Sequence, residues 1–211
     1  MGALLAHPDP LDQGASSACV GFAFEMGINT RLRAQGVEDQ QRLSPWAIYT
    51  AARQKANGPF IELTDTGCMP GLAALAISDT TLSPLVPYDV WTDARARIPL
   101  DVYEKGVGHK VDFYRAESVE DIRAALARNY PVVFGMDVDR SYEDYTGGVW
   151  TGMQTGSLGG HMQCLVGYDR NIFKVANSWG KTWGMEGLSW IDESYLAGPH
   201  CYDFYAITAS V

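Results

Sequence analysis

Cysteine is scarce in this chain, four in 211 residues, and no two of the four stand as a CxxC pair. A disulfide-dense scaffold or a zinc ribbon would need more. The HExxH signature of a zinc hydrolase is missing too, so no metal and no cofactor is expected. No apolar run approaches the ~18 residues of a membrane span. Basic residues are outnumbered, 16 Lys and Arg against 25 Asp and Glu, for a formal net charge of −9. A phosphate backbone calls for the opposite sign, which excludes a general nucleic-acid binder. Met1 to Pro10 has Leu4-Leu5 but no basic stretch ahead of them, unlike a secretory signal. Internal repeats and low-complexity segments are absent.

What is present is an ordinary globular composition, 46% hydrophobic and 19% charged, in a chain long enough to bury a sizeable core. Cys19 to Ala34 spaces Phe22, Met26 and Leu32 as a helix does, with Gly36 as its stop. Ser44-Pro45 is an N-cap followed by proline at the first helical position, opening a helix that ends near Asn57-Gly58. A shorter helix is expected from Gly71 to Ile77, irregular chain to about Pro99, and one more helix from Ser118 to about Asn129. Strands are expected at Lys110–Tyr114, Val132–Val138, His161–Tyr168, Ile172–Ala176, Leu188–Ile191 and Phe204–Thr208. This segregation predicts an α+β protein. One domain spans 1–211, with a helical lobe over about 13–99, a lobe rich in antiparallel strand over about 100–211, and a cleft between them.

Three segments far apart carry the chemistry. They are Gln13-Gly14-Ala15-Ser16-Ser17-Ala18-Cys19, then Gly159-Gly160-His161, then Asn177-Ser178-Trp179-Gly180. A cysteine, a histidine and an asparagine in that order suit a thiol nucleophile, a proton-handling imidazole and an amide that orients it. Cys19 at the start of a helix also has a reason to ionise, because the helix N-terminus carries partial positive charge.

At these residues the chain resembles the papain-like cysteine peptidases. Gln13 stands six residues before Cys19 as the family has it, and Gly159-Gly160-His161 with Val166-Gly167-Tyr168 is similar to the family's histidine segment. Asn177 to Gly187 matches Asn-Ser-Trp-Gly-x-x-Trp-Gly-x-x-Gly without a gap. Leu43 to Tyr49, Gly67-Cys68, Tyr130 to Gly135 and Asp203-Phe204-Tyr205 resemble the bacterial and phage-type branch. The likeness runs from about Asp12 onward.

The resemblance implies a cysteine endopeptidase acting through an acyl-thioenzyme on a polypeptide substrate. Cys19 would be the nucleophile, His161 the general base and acid, Asn177 the orienting amide, and Gln13 an oxyanion donor beside the backbone N–H of Cys19. Leu72, Ala73, Gly159 and Gly160 would form a substrate pocket, and Trp179 would shield the Asn177–His161 bond. Tyr142, Tyr145 and Trp150 would line the cleft or anchor a loop. Two rival readings keep the same residues: a peptide ligase or transpeptidase, in which an amine replaces water, and a catalytically silent peptide-binding module. The family cysteine matching Cys68 pairs with a position that is Ser16 here, so no disulfide is expected. Ser17 replaces a family glycine and would be strained if that glycine has φ > 0. Eukaryotic members carry a long inhibitory pro-segment. Only 18 residues precede Cys19, so none is expected, and restraint would fall to a protein inhibitor or regulatory partner. Location would be cytoplasmic or phage-associated.

Overall fold

The first long helix, α1 (Cys19–Ala34), runs through the middle of the molecule: every residue from Val20 to Thr30 is buried. A helix covered on all sides has no polar face to show, which explains its mixed sequence. Its buried polar groups are answered locally. Glu25 takes a two-pronged bond from Arg42 at 2.6 and 3.0 Å, and Asn29 donates to Glu25 at 2.8 Å. Arg31 and Arg33 sit in the last turn, where the helix dipole favours them. At the other end no side chain caps the helix, so its first N–H groups remain free for the site.

This computed structural model describes residues 2–37, 42–57, 67–78, 84–93, 96–106 and 111–208. Against α1 packs α2 (Pro45–Asn57), capped by Ser44, whose hydroxyl accepts from the Ala47 N–H at 3.1 Å. Next come α3 (Pro70–Ser78), α4 (Leu100–Tyr103) and α5 (Val119–Ala127), the last capped by Ser118. The single-turn helices α6 (Arg140–Glu143) and α7 (Glu193–Leu196) lie among the strands.

Among the described residues eight strands make one sheet: β1 (Ala3–Leu4), β2 (Phe113–Arg115), β3 (Val132–Val138), β4 (Val149–Trp150), β5 (Gly159–Asp169), β6 (Ile172–Ala176), β7 (Leu188–Asp192) and β8 (Cys201–Ile207). Their order is β2-β8-β3-β5-β6-β7-β4, with β1 beside β5. Every pairing is antiparallel except β4 with β7. One apolar cluster joins α1, α2 and α3 to the sheet through Val133, Met162, Cys164, Val166 and Ile207. A second covers the opposite face with Phe134, Leu165, Phe173 and Tyr142. The alternation of Cys164 and Leu165 between them is the two-residue period of a strand.

The α+β segregation read from the sequence is what the molecule has. Differences fall at ends and in short pieces. β5 and β8 begin earlier than hydrophobicity suggested, because Gly159 and Gly160 pair with β3 on one side, and Cys201 and Tyr202 on the other, through the backbone. The elements β1, β4, α4, α6 and α7 span two to four residues, too few for any period to show. Lys110 and Gly58, at the edges of an expected strand and helix, lie outside the described residues.

Helices α1 and α2 approach closely at Gly21. A Cβ there would stand 2.2 Å from the Pro45 carbonyl oxygen and 2.8 Å from Tyr49 Cβ. Alanine would gain about 1 kcal/mol in helix propensity, but it would push on backbone that cannot swing aside, and overpacking costs about 1–3 kcal/mol. With a backbone oxygen only 2.2 Å from that Cβ, the cost falls at the upper end, and we expect Gly21→Ala to lower the unfolding free energy by about 2 kcal/mol in a denaturant titration. An unchanged midpoint would show that the helices can move apart freely.

Candidate active site

Cys19 is the first residue of α1, and burial pushes its thiol up from the ordinary cysteine range. The backbone N–H groups of Met162, Val20 and Cys19 itself pull the other way. The uncapped helix end is therefore turned on the sulfur. His161 lies near the start of β5, opposite Met136 of β3. Its Nε2 is 2.7 Å from Oδ1 of Asn177, which follows the last residue of β6.

The direction of that bond follows from its neighbour. Oδ1 of Asn177 also accepts the backbone N–H of Ser178 at 2.7 Å, and an amide N–H can only donate. The atom is therefore the oxygen, His161 Nε2 carries the proton, and Nδ1 is left as the basic nitrogen of the neutral ring. Trp179 stacks on the ring, centroids 4.6 Å apart and planes 17° from parallel, and Trp183 meets Trp179 edge-on. His161 is 6% exposed and Asn177 2%. Burial, partly offset by the Asn177 bond, holds the imidazole down at about 4.

Gln13 reaches the site from the other direction. Its N–H donates to the Ser178 carbonyl at 2.8 Å, and the N–H of Gly180 donates to Leu11 at 3.1 Å. Residues 11–13 thus lie along the segment after Asn177. The Gln13 amide is pinned at both atoms: Nε2 donates to the Ser16 carbonyl at 2.7 Å and Oε1 accepts from Ser178 Oγ at 2.5 Å. Nε2 keeps a second hydrogen. The left-handed turn in this loop falls on Gly14, φ 59°. Ser17 is not among the residues with positive φ, so its replacement of glycine brings no such strain.

Cys19 and His161 open onto one cavity of about 280 Å³, also lined by Val20, Gly67, Cys68, Met69, Pro70, Gly135, Gly160, Met162, Tyr202 and Asp203. Gly160 is among its lining residues, and Gly159, Leu72 and Ala73 are not. Ala73 is core, and Leu72 packs against that core. The wall comes instead from the residues just before them, Gly67 to Pro70. Tyr202 carried no signal in the sequence, and Asp203 only as part of a family-like stretch with no role attached. Tyr202 lies across two glycines: a Cβ at Gly135 would come within 2.4 Å of its ring, and one at Gly160 within 2.2 Å of its hydroxyl. Tyr142, Tyr145 and Trp150 are buried in the far cluster and do not line this cavity. All four cysteines are free thiols. Burial, with help from the Cys19 charge, pushes Cys68 up to about 12, and burial pushes Cys164 and Cys201 up as well. Among the described residues no group of three or more His, Cys, Asp or Glu is placed to hold a metal ion, and no helix is long and apolar enough to cross a membrane.

The helix end therefore cannot act on Cys19 by itself, and His161 has to share in the ionisation. Burial resists charge on the thiol and on the ring separately, so ionisation is favoured only as a pair in which each ion offsets the other. Removing the thiol should expose the ring's own preference. In Cys19→Ala, we expect His161 to titrate near pH 4 by NMR, well below an ordinary histidine. The folded ring then binds fewer protons than the unfolded chain between about pH 6.5 and 4. Stability contributed by this group is present above that window and falls through it as pH drops. A titration midpoint above 6 would contradict this account.

Comparison with known proteins places the arrangement. The pattern of the papain family cysteine proteases matches residues 11–201. An uncharacterized peptidase C1-like protein of Acanthamoeba polyphaga mimivirus is 32% identical over 131 residues, covering 54% of this chain and 42% of that protein. The gamete and mating-type specific protein A of Dictyostelium discoideum is 32% identical over 189 residues, 87% of this chain and 40% of that protein. The chain thus spans less than half the length of these two relatives. In fold it is similar to xylellain, a cysteine protease from Xylella fastidiosa (TM-score 0.86, 22% identity, 100% of this chain and 86% of the other). It is also similar to bromelain from Ananas comosus in complex with the E64 inhibitor (TM-score 0.73, 18% identity, 96% and 94%). The architecture is the two-lobed α+β fold of those enzymes, and the chain belongs to the papain family of cysteine proteases.

Proposed function

We propose that this chain is a cysteine endopeptidase that cleaves peptide bonds through an acyl-thioenzyme. The observation that carries the reading is the neutral His161 ring fixed by Asn177, with Nδ1 as its basic nitrogen, on the cavity that Cys19 opens onto. Nδ1 takes the thiol proton as sulfur attacks the carbonyl carbon. The imidazolium then returns that proton to the leaving amine, and water repeats the sequence on the thioester. The second hydrogen of Gln13 Nε2 and the Cys19 N–H are the donors proposed for the oxyanion. Both are fixed before substrate arrives, which is what makes such donors effective.

The cavity beside Cys19 supports an apolar substrate side chain. Its walls are Val20, Met69, Pro70, Met162 and the Tyr202 ring, and its one charged lining residue, Asp203, is paired with Arg115 at 3.3 Å. An unpaired charge on the substrate would find no partner among these lining residues.

With a fluorogenic peptide amide, we expect Cys19→Ala and His161→Ala to lose at least about a thousandfold in kcat/KM, because each makes or breaks a bond. Gln13→Ala should lose about a hundredfold, chiefly in kcat. Asn177→Ala should keep measurable turnover, since it only orients the ring. Wild-type turnover in His161→Ala would end this proposal. Limited iodoacetamide at mildly acidic pH, followed by peptide mapping, should label Cys19 ahead of the other three thiols, which burial holds protonated. Equal labelling of all four would contradict an activated Cys19.

A further inference from the structure

Two buried amide groups beside the site find no acceptor among the described residues, Nδ2 of Asn177 and Nε2 of Gln163. Their side chains belong to neighbouring positions. The β5–β6 register sets Cys164 opposite Ala176, and one further step brings Gln163 opposite Asn177, on the strand face it shares with His161 two residues earlier. Gln163 is 1% exposed. Its Oε1 accepts from the Tyr142 hydroxyl at 2.6 Å, and the same hydroxyl is 2.8 Å from Ser189 Oγ, a contact in which either oxygen can donate.

The polarity of Asn177 is settled by the Ser178 N–H, so its Nδ2 must be a donor. Nothing comparable settles Gln163. The oxygen and nitrogen of a carboxamide exchange places by a half-turn about its last bond, and only the surrounding hydrogen bonds choose between the two states. With Oε1 toward Tyr142, two buried donors go unanswered, which is costly in a protein interior. The half-turn answers both. Nε2 donates to the Tyr142 oxygen, Tyr142 donates to Ser189 Oγ, and Oε1 is free to accept Nδ2 of Asn177.

We propose that Gln163 is a positioning residue: its carboxamide oxygen accepts Asn177 Nδ2 and locks the Asn177 amide in the rotation that presents Oδ1 to His161. The hydrogen bonds then run in one direction, from His161 and Ser178 onto Asn177, from Asn177 onto Gln163, and from Gln163 through Tyr142 to Ser189. Asn177 is held at both ends of its amide instead of one. Gln163 touches no reacting atom and acts through Asn177 alone.

Neutron diffraction from deuterium-exchanged crystals of the full chain tests the geometry without reference to activity. The expected result is a deuterated Nε2 beside Tyr142, with Oε1 within hydrogen-bond distance of Asn177 Nδ2. A deuterated amine facing Asn177, or a water between the two amides, would overturn the proposal. The kinetic arm rests on the peptidase reading. Gln163→Met, which keeps the length and removes the acceptor, should lower kcat about tenfold at unchanged KM, or about 1.4 kcal/mol. Gln163→Glu should recover most of that loss. Its buried side chain would be held as the neutral acid, whose O–H donates to Tyr142 and whose carbonyl accepts from Asn177. Gln163→Met with wild-type kcat, or Gln163→Glu no better than Gln163→Met, would overturn the assignment. A chain with no peptidase activity but the expected neutron map would refute the enzymatic reading and leave the geometry standing.

Discussion

The arrangement of the site depends on one backbone N–H. Ser178 donates to Oδ1 of Asn177, and because that donor cannot be reversed, it fixes which end of the Asn177 amide meets His161. The ring must then be protonated at Nε2, and its other nitrogen is the base. No side chain makes this choice. It is written into the backbone where β6 ends and the chain turns toward Trp179. The stacked Trp179 and the edge-on Trp183 keep solvent from competing for the same atoms.

A second constraint is burial of both reacting groups. A thiol pushed up and an imidazole held down at about 4 are each reluctant to charge. The N-terminus of α1 leans against that reluctance, aiming uncapped N–H groups at sulfur. The result is a thiol whose ionisation is tied to that of the neighbouring imidazole. Cys68 shares the cavity and is pushed up to about 12, so a place on the cavity wall is not by itself enough for ionisation.

Much of this was legible in the sequence. Residues separated by local geometry can be read by spacing: Gln13 before Cys19 in one loop, and Asn177 to Gly187 as one turn around two tryptophans. The long helices and strands were equally readable, since their apolar residues repeat over enough positions. Residues brought together by sheet register were not. Tyr202 reaches the cavity because β8 pairs with β3 and β3 with β5, which sets its ring over Gly135 and Gly160. Gln163 comes opposite Asn177 only through the β5–β6 register. Tyr142, with no apolar period around it, turned out to be a buried hub among Trp150, Trp179 and Trp183. Gly67 to Pro70 line the cavity, while Leu72 and Ala73, a few residues on, pack with the core.

The pairing of residues 11–13 with 178–180, together with β1 on β5, has a mechanical meaning. Gln13 is tied to the segment that follows β6, whereas Cys19, a few residues on, opens the helix α1. The short stretch from Gly14 to Ala18 therefore works as a tie bar. A hinge-like gape would have to stretch it and would pull the amide out of alignment with the sulfur. On the peptidase reading proposed above, a slot braced in this way would admit an extended chain without first closing around it. Little conformational entropy would then be lost by the protein on docking, and discrimination among side chains would fall to the fixed shape of the opening.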